Sequence, residues 1–209
     1  MNRRMFFFVA LAIVMVWAPG ADAQGKGKTS LKVSGAEFDP ERVCDAEGAW
    51  VRGIALTSDD DRFAYGFLMH KLCSTGTNAA AFGLISGVNG QTLIGAQALG
   101  FDYKDVNGGF VAHCTGGAPR FNVTMSDGTF HFIGGCGNGT QSSSPAGTGW
   151  TRVRFDPQNP AHAFPPVPTN AVIVSIALVF DEGPDQGPGG SPEIVLDNIF
   201  INGKFATRP

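Results

Sequence analysis

Short apolar or alternating segments, each bounded by turn-forming residues, recur along this chain and constrain its fold more than any other feature. In the segment 120–125, Phe121, Val123 and Met125 fall on one face of a strand and polar residues fall on the other. Many short strands at regular spacing indicate a β-sandwich or a β-barrel. We predict strands at 79–85, 92–103, 120–125, 129–133, 150–155, 172–180 and 193–201.

Turn signals predict how some of these strands connect. The Asn-Gly pair at 89–90 and the Ser-Asp-Gly run at 126–128 each lie between strand-like segments and are expected to close hairpins. The continuous apolar run 172–180 predicts a strand that is buried on both faces. The single helical candidate spans residues 60–71.

The composition argues against several other classes of fold and function. Glycine and proline supply 29 and 13 of the 209 residues, whereas charged residues make up only 16%. These proportions do not suit a helical bundle, a coiled coil or a disordered chain. The formal net charge of −3 argues against a general nucleic-acid-binding protein, because such a protein needs a basic surface.

The first 23 residues have the organisation of a secretory signal peptide. Arg3 and Arg4 precede the apolar run 6–17, and Ala-Asp-Ala at 21–23 is a small-x-small cleavage site. A membrane anchor would need about 20 apolar residues, and Pro19 ends this run too early. We therefore expect a secreted protein, extracellular or periplasmic, with no membrane span after cleavage.

The remainder of the chain is long enough for one domain with a sizeable core. We expect a flexible polar leader at 24–34, a single β-sandwich domain at 35–205 and a short tail at 206–209, after the signal peptide at 1–23.

Export changes the interpretation of the four cysteines, because disulfides form in an oxidising compartment. None of them has the Cys-x-x-Cys spacing of a zinc or redox site. Cys114 and Cys136 flank the predicted turn at 126–128, so a hairpin would bring them together, and by elimination Cys44 pairs with Cys73. Each cross-link would stabilise the fold by about 3 kcal/mol. The sequence thus predicts a disulfide-stapled sandwich.

The order of four segments resembles that of secreted bacterial jelly-roll domains. These segments are 99–103 (LGFDY), 119–123 (PRFNV), 176–183 (IALVFDEG) and 195–203 (VLDNIFING). Over residues 35–203 the chain is similar to the galactose-binding-like superfamily, to which many carbohydrate-binding modules belong. The resemblance implies an antiparallel β-sandwich of jelly-roll type. That superfamily also contains protein binders and accessory domains, so the fold alone implies little about function.

The last predicted strand places either Asp197 or Asn198 among apolar residues, and a buried carboxylate needs a partner. In the jelly-roll modules that this chain resembles, an Asp near this position often helps to hold a structural calcium ion. The resemblance implies that role for Asp197, with Glu37 or Asp39 supplying part of the roughly six to eight oxygens that Ca²⁺ binds. The alternative is that Asp197 accepts backbone N–H or arginine hydrogen bonds without any metal.

A candidate ligand-binding surface lies on one face of the predicted strand that begins at Trp150. Trp150, Arg152 and Arg154 alternate with a more apolar set, so they are expected to face solvent or a cleft. An indole beside guanidinium groups could stack on a sugar ring and bind its hydroxyls. Arg120 and Asn122 form a similar polar face and would join this patch only if the two strands are neighbours. The alternative is that the arginines are solvated charges and Trp150 covers the rim of the core.

The sequence contains few signatures of an enzyme. The sequence contains no Gly-x-Ser-x-Gly elbow, no His-Glu-x-x-His motif and no phosphate-binding glycine loop. His113 and His131 lie on the two segments of the predicted disulfide hairpin and could approach each other, although satisfied or surface histidines are the commoner case. A paired-carboxylate hydrolase stays open, with Asp102 and Glu182 as conceivable members.

Together these observations favour a secreted, non-catalytic binding or accessory module, with carbohydrate as a candidate ligand and a glycan or another cell-surface component as a candidate partner. A structural or protein-interaction domain of the cell envelope or extracellular matrix is the first alternative. A glycoside hydrolase-like enzyme is the second.

Overall fold

The computed structural model describes residues 30–56, 64–104, 112–144 and 149–209. Over these ranges the chain is an all-β sandwich of two antiparallel sheets, whose only helical elements are two three-residue 3-10 turns at Cys136–Asn138 and Pro188–Gly190. The strands are β1 (Lys32–Phe38), β2 (Ala46–Arg52), β3 (Tyr65–Lys71), β4 (Ala80–Ser86), β5 (Leu99–Lys104), β6 (Arg120–Met125), β7 (Phe130–Gly134), β8 (Thr140–Ser143), β9 (Trp150–Phe155), β10 (Ala163–Phe164), β11 (Ile173–Phe180), β12 (Glu193–Ile201) and β13 (Lys204–Phe205).

The two sheets contain six and seven strands. The six-stranded sheet has the order β1-β4-β11-β6-β7-β10, and the seven-stranded sheet has the order β2-β3-β12-β5-β9-β8, with β13 beside β12. Every strand pair in both sheets is antiparallel. The predicted all-β, antiparallel sandwich is therefore confirmed, and the arrangement is compatible with a jelly roll.

One of the two predicted hairpins forms. The turn at 126–128 joins β6 to β7, as predicted. The hairpin predicted at 89–90 was wrong, because β4 and β5 belong to different sheets. The N–H of Gly90 donates to the carbonyl of Ile173 at 2.9 Å, and the N–H of Ile173 donates to Gln91 at 2.7 Å. The Asn-Gly turn is thus held beside β11 while the chain crosses between the sheets.

The helical prediction for 60–71 was wrong where it can be compared. Residues 65–71 form β3, and residues 60–63 lie outside the described ranges. Phe67, Met69 and Lys71 are all buried and alternate with the more exposed Leu68 and His70, which is the period of a strand. The predicted strand 92–103 is also shorter than expected, since only 99–104 forms β5.

The strand β11 matches the predicted run 172–180, but burial on both faces holds only for its second half. Leu178, Val179 and Phe180 are buried, whereas Val174 is 45% exposed. The outer face of the six-stranded sheet is therefore open beside the first half of β11.

Aromatic side chains from both sheets meet in the core. Phe67 and Phe101 come from the seven-stranded sheet, Phe121 and Phe180 come from the six-stranded sheet, and all four are fully buried. The ring centroids of Phe101 and Phe121 are 5.9 Å apart across the interface. Burial of each ring contributes about 1.5–3 kcal/mol to stability.

Both predicted disulfides are present. Cys44 pairs with Cys73 and Cys114 pairs with Cys136, with Cα–Cα distances of 5.4 and 5.3 Å. The second bridge spans the β6–β7 hairpin, which is the geometry that the turn at 126–128 predicted. Two paired disulfides fit an oxidising compartment.

The sheet contacts reach slightly beyond the predicted limits of 35 and 205. The N–H of Val33 donates to the carbonyl of Thr207 at 2.9 Å, and the N–H of Thr207 donates to Leu31 at 3.0 Å. The predicted signal peptide at 1–23 and residues 24–29 of the leader lie outside the described residues. Over the part of the chain that the structure describes, no helix is long and apolar enough to cross a membrane.

Candidate functional site

The five residues predicted to bind a ligand lie on two different sheets. Trp150, Arg152 and Arg154 belong to β9 of the seven-stranded sheet, and Arg120 and Asn122 belong to β6 of the six-stranded sheet. The core residues that alternate with these sets are Phe121, Val123 and Met125 on β6 and Val153 and Phe155 on β9, so each set points to an outer face of the sandwich. The condition for a joint patch, neighbouring strands, is not met.

The two arginines of the set on β9 contact a fully buried carboxylate, that of Asp102 on β5. Nε and Nη2 of Arg152 donate to the two Asp102 oxygens, each at 2.9 Å. Ser144 Oγ at 2.8 Å and Asn198 Nδ2 at 3.0 Å also donate to Asp102. We call Asp102, Arg152, Arg154, Ser144 and Asn198 the charged network.

The remaining arginine of the charged network is packed rather than free. Arg154 is 7% exposed, and its Nη1 donates to the carbonyl of Val153 at 2.8 Å and lies 3.5 Å from Asp102. Its guanidinium lies over the ring of Phe200, 5.0 Å from the centroid. Trp150 is 6% exposed and packs in a small apolar cluster with Leu56. The prediction that this side meets solvent or a cleft was wrong for Trp150 and Arg154.

The hydrogen bonds of the charged network keep Asp102 ionised. Burial acts to raise the pKa of its carboxyl, but the hydrogen bonds from Arg152, Asn198 and Ser144, together with the charge of Arg152, outweigh burial and hold that pKa below its ordinary value. A buried ion pair with this many hydrogen bonds is satisfied, so its partners are expected to act in stability.

The three predicted calcium ligands are not brought together. Asp197 is on β12 of the seven-stranded sheet, and its two oxygens accept hydrogen bonds from the N–H groups of Leu56 and Asn198 at 3.0 and 2.6 Å. Glu37 is exposed on β1 of the six-stranded sheet, and Asp39 follows it. Among the residues described, no group of three or more His, Cys, Asp or Glu side chains could hold a metal ion. Asp197 thus accepts backbone N–H hydrogen bonds, as the metal-free alternative expects, and calcium stays a prediction.

The two histidines of the disulfide hairpin bond elsewhere. His131 lies 2.7 Å from the carbonyl of Pro165 and 3.1 Å from Thr129. His113 is fully buried, with Nδ1 2.8 Å from the carbonyl of Ser191 and Nε2 3.0 Å from Glu182. Each ring is therefore satisfied by ordinary hydrogen bonds.

The two carboxylates named as conceivable members of a hydrolase pair lie in different settings. Asp102 is enclosed in the charged network on β5 of the seven-stranded sheet, whereas Glu182 follows β11 of the six-stranded sheet and bonds to His113.

A cavity of about 350 Å³ opens beside the residues predicted on β6. It lies at the end of the six-stranded sheet where β6, β7 and β10 meet, and its volume is near the lower end of the range for small-molecule sites, about 300–1,000 Å³. The lining residues are Gly116, Gly117, Arg120, Phe132, Gly134, Asn138, Pro160, Ala161, His162, Ala163 and Phe164.

Two aromatic side chains, Phe132 and Phe164, line this cavity on the outer face of the sheet, and Phe130 packs against Phe132 with the ring centroids 4.9 Å apart. Phe130, Phe132 and Phe164 are 43%, 37% and 76% exposed. Phe132 is directly opposite Asn122 on β6 and Phe164 on β10, so these side chains share one face. We call Phe130, Phe132, Phe164, Arg120 and Asn122 the aromatic face.

Hydrogen bonds hold Arg120 in place at the edge of the cavity. It forms a bidentate pair with Asp181, with both N–O distances 2.6 Å, and it donates to the carbonyl of Gly117 at 2.9 Å and to Asn122 at 3.1 Å. Its guanidinium lies 5.4 Å from the centroid of the Phe132 ring.

The glycine-rich wall of the cavity is held by its own hydrogen bonds and by a disulfide. Thr115 Oγ1 accepts the N–H groups of Gly117 and Ala118, both at 3.1 Å. Asn138 Nδ2 donates to the carbonyls of Gly116 and Gly134 at 2.8 and 3.2 Å. The Cys114–Cys136 bridge connects the two segments that carry these residues. The wall is therefore fixed in place before any ligand arrives.

Glu182 supports this wall from behind. It accepts a hydrogen bond from Thr115 and contacts His113, and a Cβ added at Gly117 would collide with its carboxylate. Burial acts to raise the pKa of Glu182, but the hydrogen bonds from His113 and Thr115 outweigh it and lower that pKa below its ordinary value.

A buried lysine anchors the residues next to Arg120. Lys71 is fully buried, and its Nζ donates to the carbonyls of Thr75, Thr77 and Asp181 at 3.2, 2.8 and 2.8 Å. Burial lowers its pKa, while the charges of Asp181 and Asp185 oppose that change. The Lys71 ammonium thus fixes the backbone of the residue whose carboxylate binds Arg120.

The sequence pattern indicated Arg120 and Asn122 but not the three phenylalanines of the aromatic face. The alternation of 129–133 by itself indicates the opposite orientation, because it sets Phe130 and Phe132 against the polar Thr129 and His131. Pairing with β6 places the two phenylalanines on the outer face instead. Phe164, Asn138 and His162 gave no local signal, because loops bring them to the cavity.

The comparisons with known proteins give no family for this chain. No protein-family model matches it, and no curated protein or solved structure matches it either. The resemblance stated from the sequence is supported as far as the all-β sandwich of two antiparallel sheets.

Proposed function

We propose that this chain is a non-catalytic binding module that binds carbohydrate through the aromatic face and the adjoining cavity. The observation that carries the proposal is Phe164, a 76% exposed ring at the mouth of a cavity that Arg120, Asn138 and His162 line. An exposed aromatic ring beside a few fixed polar groups suits a sugar, whose ring has an apolar C–H face and a polar hydroxyl rim.

The proposal includes export and a relationship to the galactose-binding-like jelly rolls. Paired disulfides and the signal-like first 23 residues support a secreted protein that meets glycans outside the cell. The two-sheet sandwich supports the jelly-roll relationship.

A protein-interaction domain is the second candidate, and the composition of the same face favours it. All three exposed rings are phenylalanines, which cannot donate a hydrogen bond. Leu84 and Val174, on β4 and β11 of the same sheet, are also 44% and 45% exposed. Exposed apolar side chains grouped on one sheet are typical of protein interfaces.

A glycan-array screen of the full chain, produced with its own leader in an oxidising compartment, tests the proposal. We expect binding that Phe164→Ala reduces at least about tenfold, which corresponds to about 1.4 kcal/mol. Phe205→Ala is the matched control, since Phe205 is 52% exposed on β13 of the other sheet. The free energy of unfolding of both variants should lie within about 0.5 kcal/mol of that of the parent chain, because both rings are exposed.

A blank array from a folded protein would overturn the sugar-binding proposal and favour the protein-interaction domain. Equal loss in Phe164→Ala and Phe205→Ala would instead show that the bound glycan does not use the aromatic face.

A further inference from the structure

We propose that the ligand of this cavity is an uncharged sugar held through its hydroxyl groups, and that glycans with carboxylate or sulfate groups are not its ligands. This inference rests on the proposed function and specifies the substrate class of the same site. It follows from the hydrogen-bonding groups that the three polar lining residues have left over, and from the charge that surrounds them.

Among the described residues that line the cavity, Arg120 is the one with a permanently charged side chain, and this charge is already compensated. The carboxylate of Asp181 forms a bidentate pair with it. Four of the five guanidinium N–H groups donate to Asp181, Gly117 and Asn122. One N–H on Nη2 is left without a partner among the described residues. The site therefore offers a donor at this point but no net positive charge.

His162 uses one ring nitrogen within the fold and leaves the other available. The backbone N–H of Asp156 donates to its Nδ1 at 3.0 Å, so Nδ1 carries no proton. The ring proton is then on Nε2, which has no hydrogen-bond partner within the part of the chain that the structure describes. His162 thus supplies a second donor.

Asn138 supplies the acceptor. Both hydrogens of its Nδ2 are used by the carbonyls of Gly116 and Gly134. Its Oδ1 accepts no hydrogen bond from any described residue and lies 3.5 Å from the position of a Cβ added at Gly116. The orientation of the amide is therefore fixed by the wall, and its oxygen is available to a ligand.

Two donors and one acceptor with no net charge match hydroxyl groups, which both donate and accept. A carboxylate or sulfate can only accept, so it would leave Asn138 Oδ1 without a donor. It would also approach the Asp181 carboxylate, whose side chain is 36% exposed beside Arg120. Repulsion between like charges disfavours that approach. The aromatic rings of Phe132 and Phe164 then complete the site for the C–H face of the sugar.

The test compares neutral glycans with glycans that contain uronic acid or sulfate groups on one array, followed by titration of the best neutral glycan. We expect neutral glycans to bind, with less than about a twofold change in affinity between about 0.05 and about 0.5 M salt, because salt screens only charge–charge attraction. Gly116→Leu should abolish binding, since Gly116 lines the cavity and a Cβ there makes only ordinary contacts.

Asp181→Asn tests the role of charge directly. This change leaves Arg120 uncompensated, so it should raise the affinity for acidic glycans by about tenfold. Asp185→Asn is the matched control, because Asp185 binds Thr75 and does not contact Arg120. Far-ultraviolet circular dichroism and thermal unfolding of each variant separate loss of binding from loss of fold.

The outcomes separate this inference from the proposed function. Binding of acidic glycans alone, or strong salt dependence, would overturn the neutral-sugar inference and leave carbohydrate binding in place. A blank array from a folded protein would overturn both. Neutral binding that survives Gly116→Leu in a folded variant would place the sugar elsewhere and overturn the inference for this cavity.

Discussion

Two arginine–aspartate pairs lie on opposite outer faces of this sandwich, and only one of them is at a candidate site. Arg152 and Asp102 on the seven-stranded sheet are bidentate at 2.9 Å, and Arg120 and Asp181 on the six-stranded side are bidentate at 2.6 Å. Asp102 is fully buried and also binds Ser144, Asn198 and Arg154. The Arg120 pair instead adjoins exposed rings and a cavity.

The comparison teaches that residue type alone does not identify a binding site. Each pair includes an arginine from a strand with alternating polar and apolar residues. The sequence pattern therefore predicted the same kind of outward-facing polar surface for both strands. The two pairs differ in how many hydrogen-bonding groups are left over and in whether a ligand can reach them. A saturated buried pair has no group left for a ligand and destabilises the fold when one partner is removed, whereas a pair with accessible neighbours can also take part in recognition.

The largest expected loss of stability comes from breaking the charged network. Asp102→Asn removes the carboxylate that two arginines share, and an uncompensated buried charge costs about 3–5 kcal/mol. Asp181→Asn, at the exposed pair, should cost less than about 1 kcal/mol. Urea unfolding of both variants checks this difference. Equal losses of stability would contradict the distinction between the two faces.

A second, smaller effect concerns the anchor behind Arg120. Lys71→Met leaves the carbonyls of Thr75, Thr77 and Asp181 without their donor, and buried unsatisfied groups cost about 1–3 kcal/mol. Glycan affinity should fall as well, because Asp181 would no longer be fixed. Lys204→Met, an exposed change on β13, is the control for removing a lysine. Unchanged stability in Lys71→Met would exclude this role.

The smallest expected effect is a loss of stability in acid. The pKa values of Asp102 and Glu182 are lowered in the folded protein relative to ordinary values of 3.8 and 4.5. A lowered pKa in the folded state means that the stabilisation is complete above those values and is lost as the pH falls through the folded-state pKa. Thermal unfolding measured from pH 7 to about pH 3 should show this decline.

Glu182→Gln sharpens that measurement. The glutamine keeps the size of the side chain but does not titrate, so the decline below the ordinary pKa of glutamate should be shallower than in the parent chain. A parallel decline in both proteins would mean that Glu182 does not contribute to acid stability.

Much of the fold was predictable because it depends on local pattern. The period-two alternation of 120–125 and 150–155 and the turn at 126–128 predicted β6, β9 and one hairpin correctly. The hairpin at 89–90 failed because an Asn-Gly turn specifies a local bend, while long-range hydrogen bonds to Ile173 decide which strands it joins. The helical candidate failed because 65–71 lies between β2 and β12, where sheet pairing outweighs local preference.

The candidate site was only half predictable, because its polar and aromatic parts lie far apart in the sequence. Alternation placed Arg120 and Asn122 on an outer face, which the structure bears out. Alternation also placed Trp150 and Arg154 on an outer face, yet both are buried there by other parts of the chain. A period of two tells which face a side chain takes and says nothing about what covers that face.

By itself, the sequence determined the all-β class, the antiparallel sandwich, the two disulfide pairs and the outward direction of both arginine sets. Each of these depends on alternation, turn residues and cysteine positions, which act over short stretches of chain. The tertiary structure alone decided which strands are neighbours, and so assigned the two sets to opposite faces. It also decided that the hydrogen-bonding capacity of Asp102 is fully used, whereas Arg120, Asn138 and His162 keep hydrogen-bonding groups that no described residue uses beside Phe164. Burial and hydrogen-bond partners are set by contacts between residues distant in the sequence.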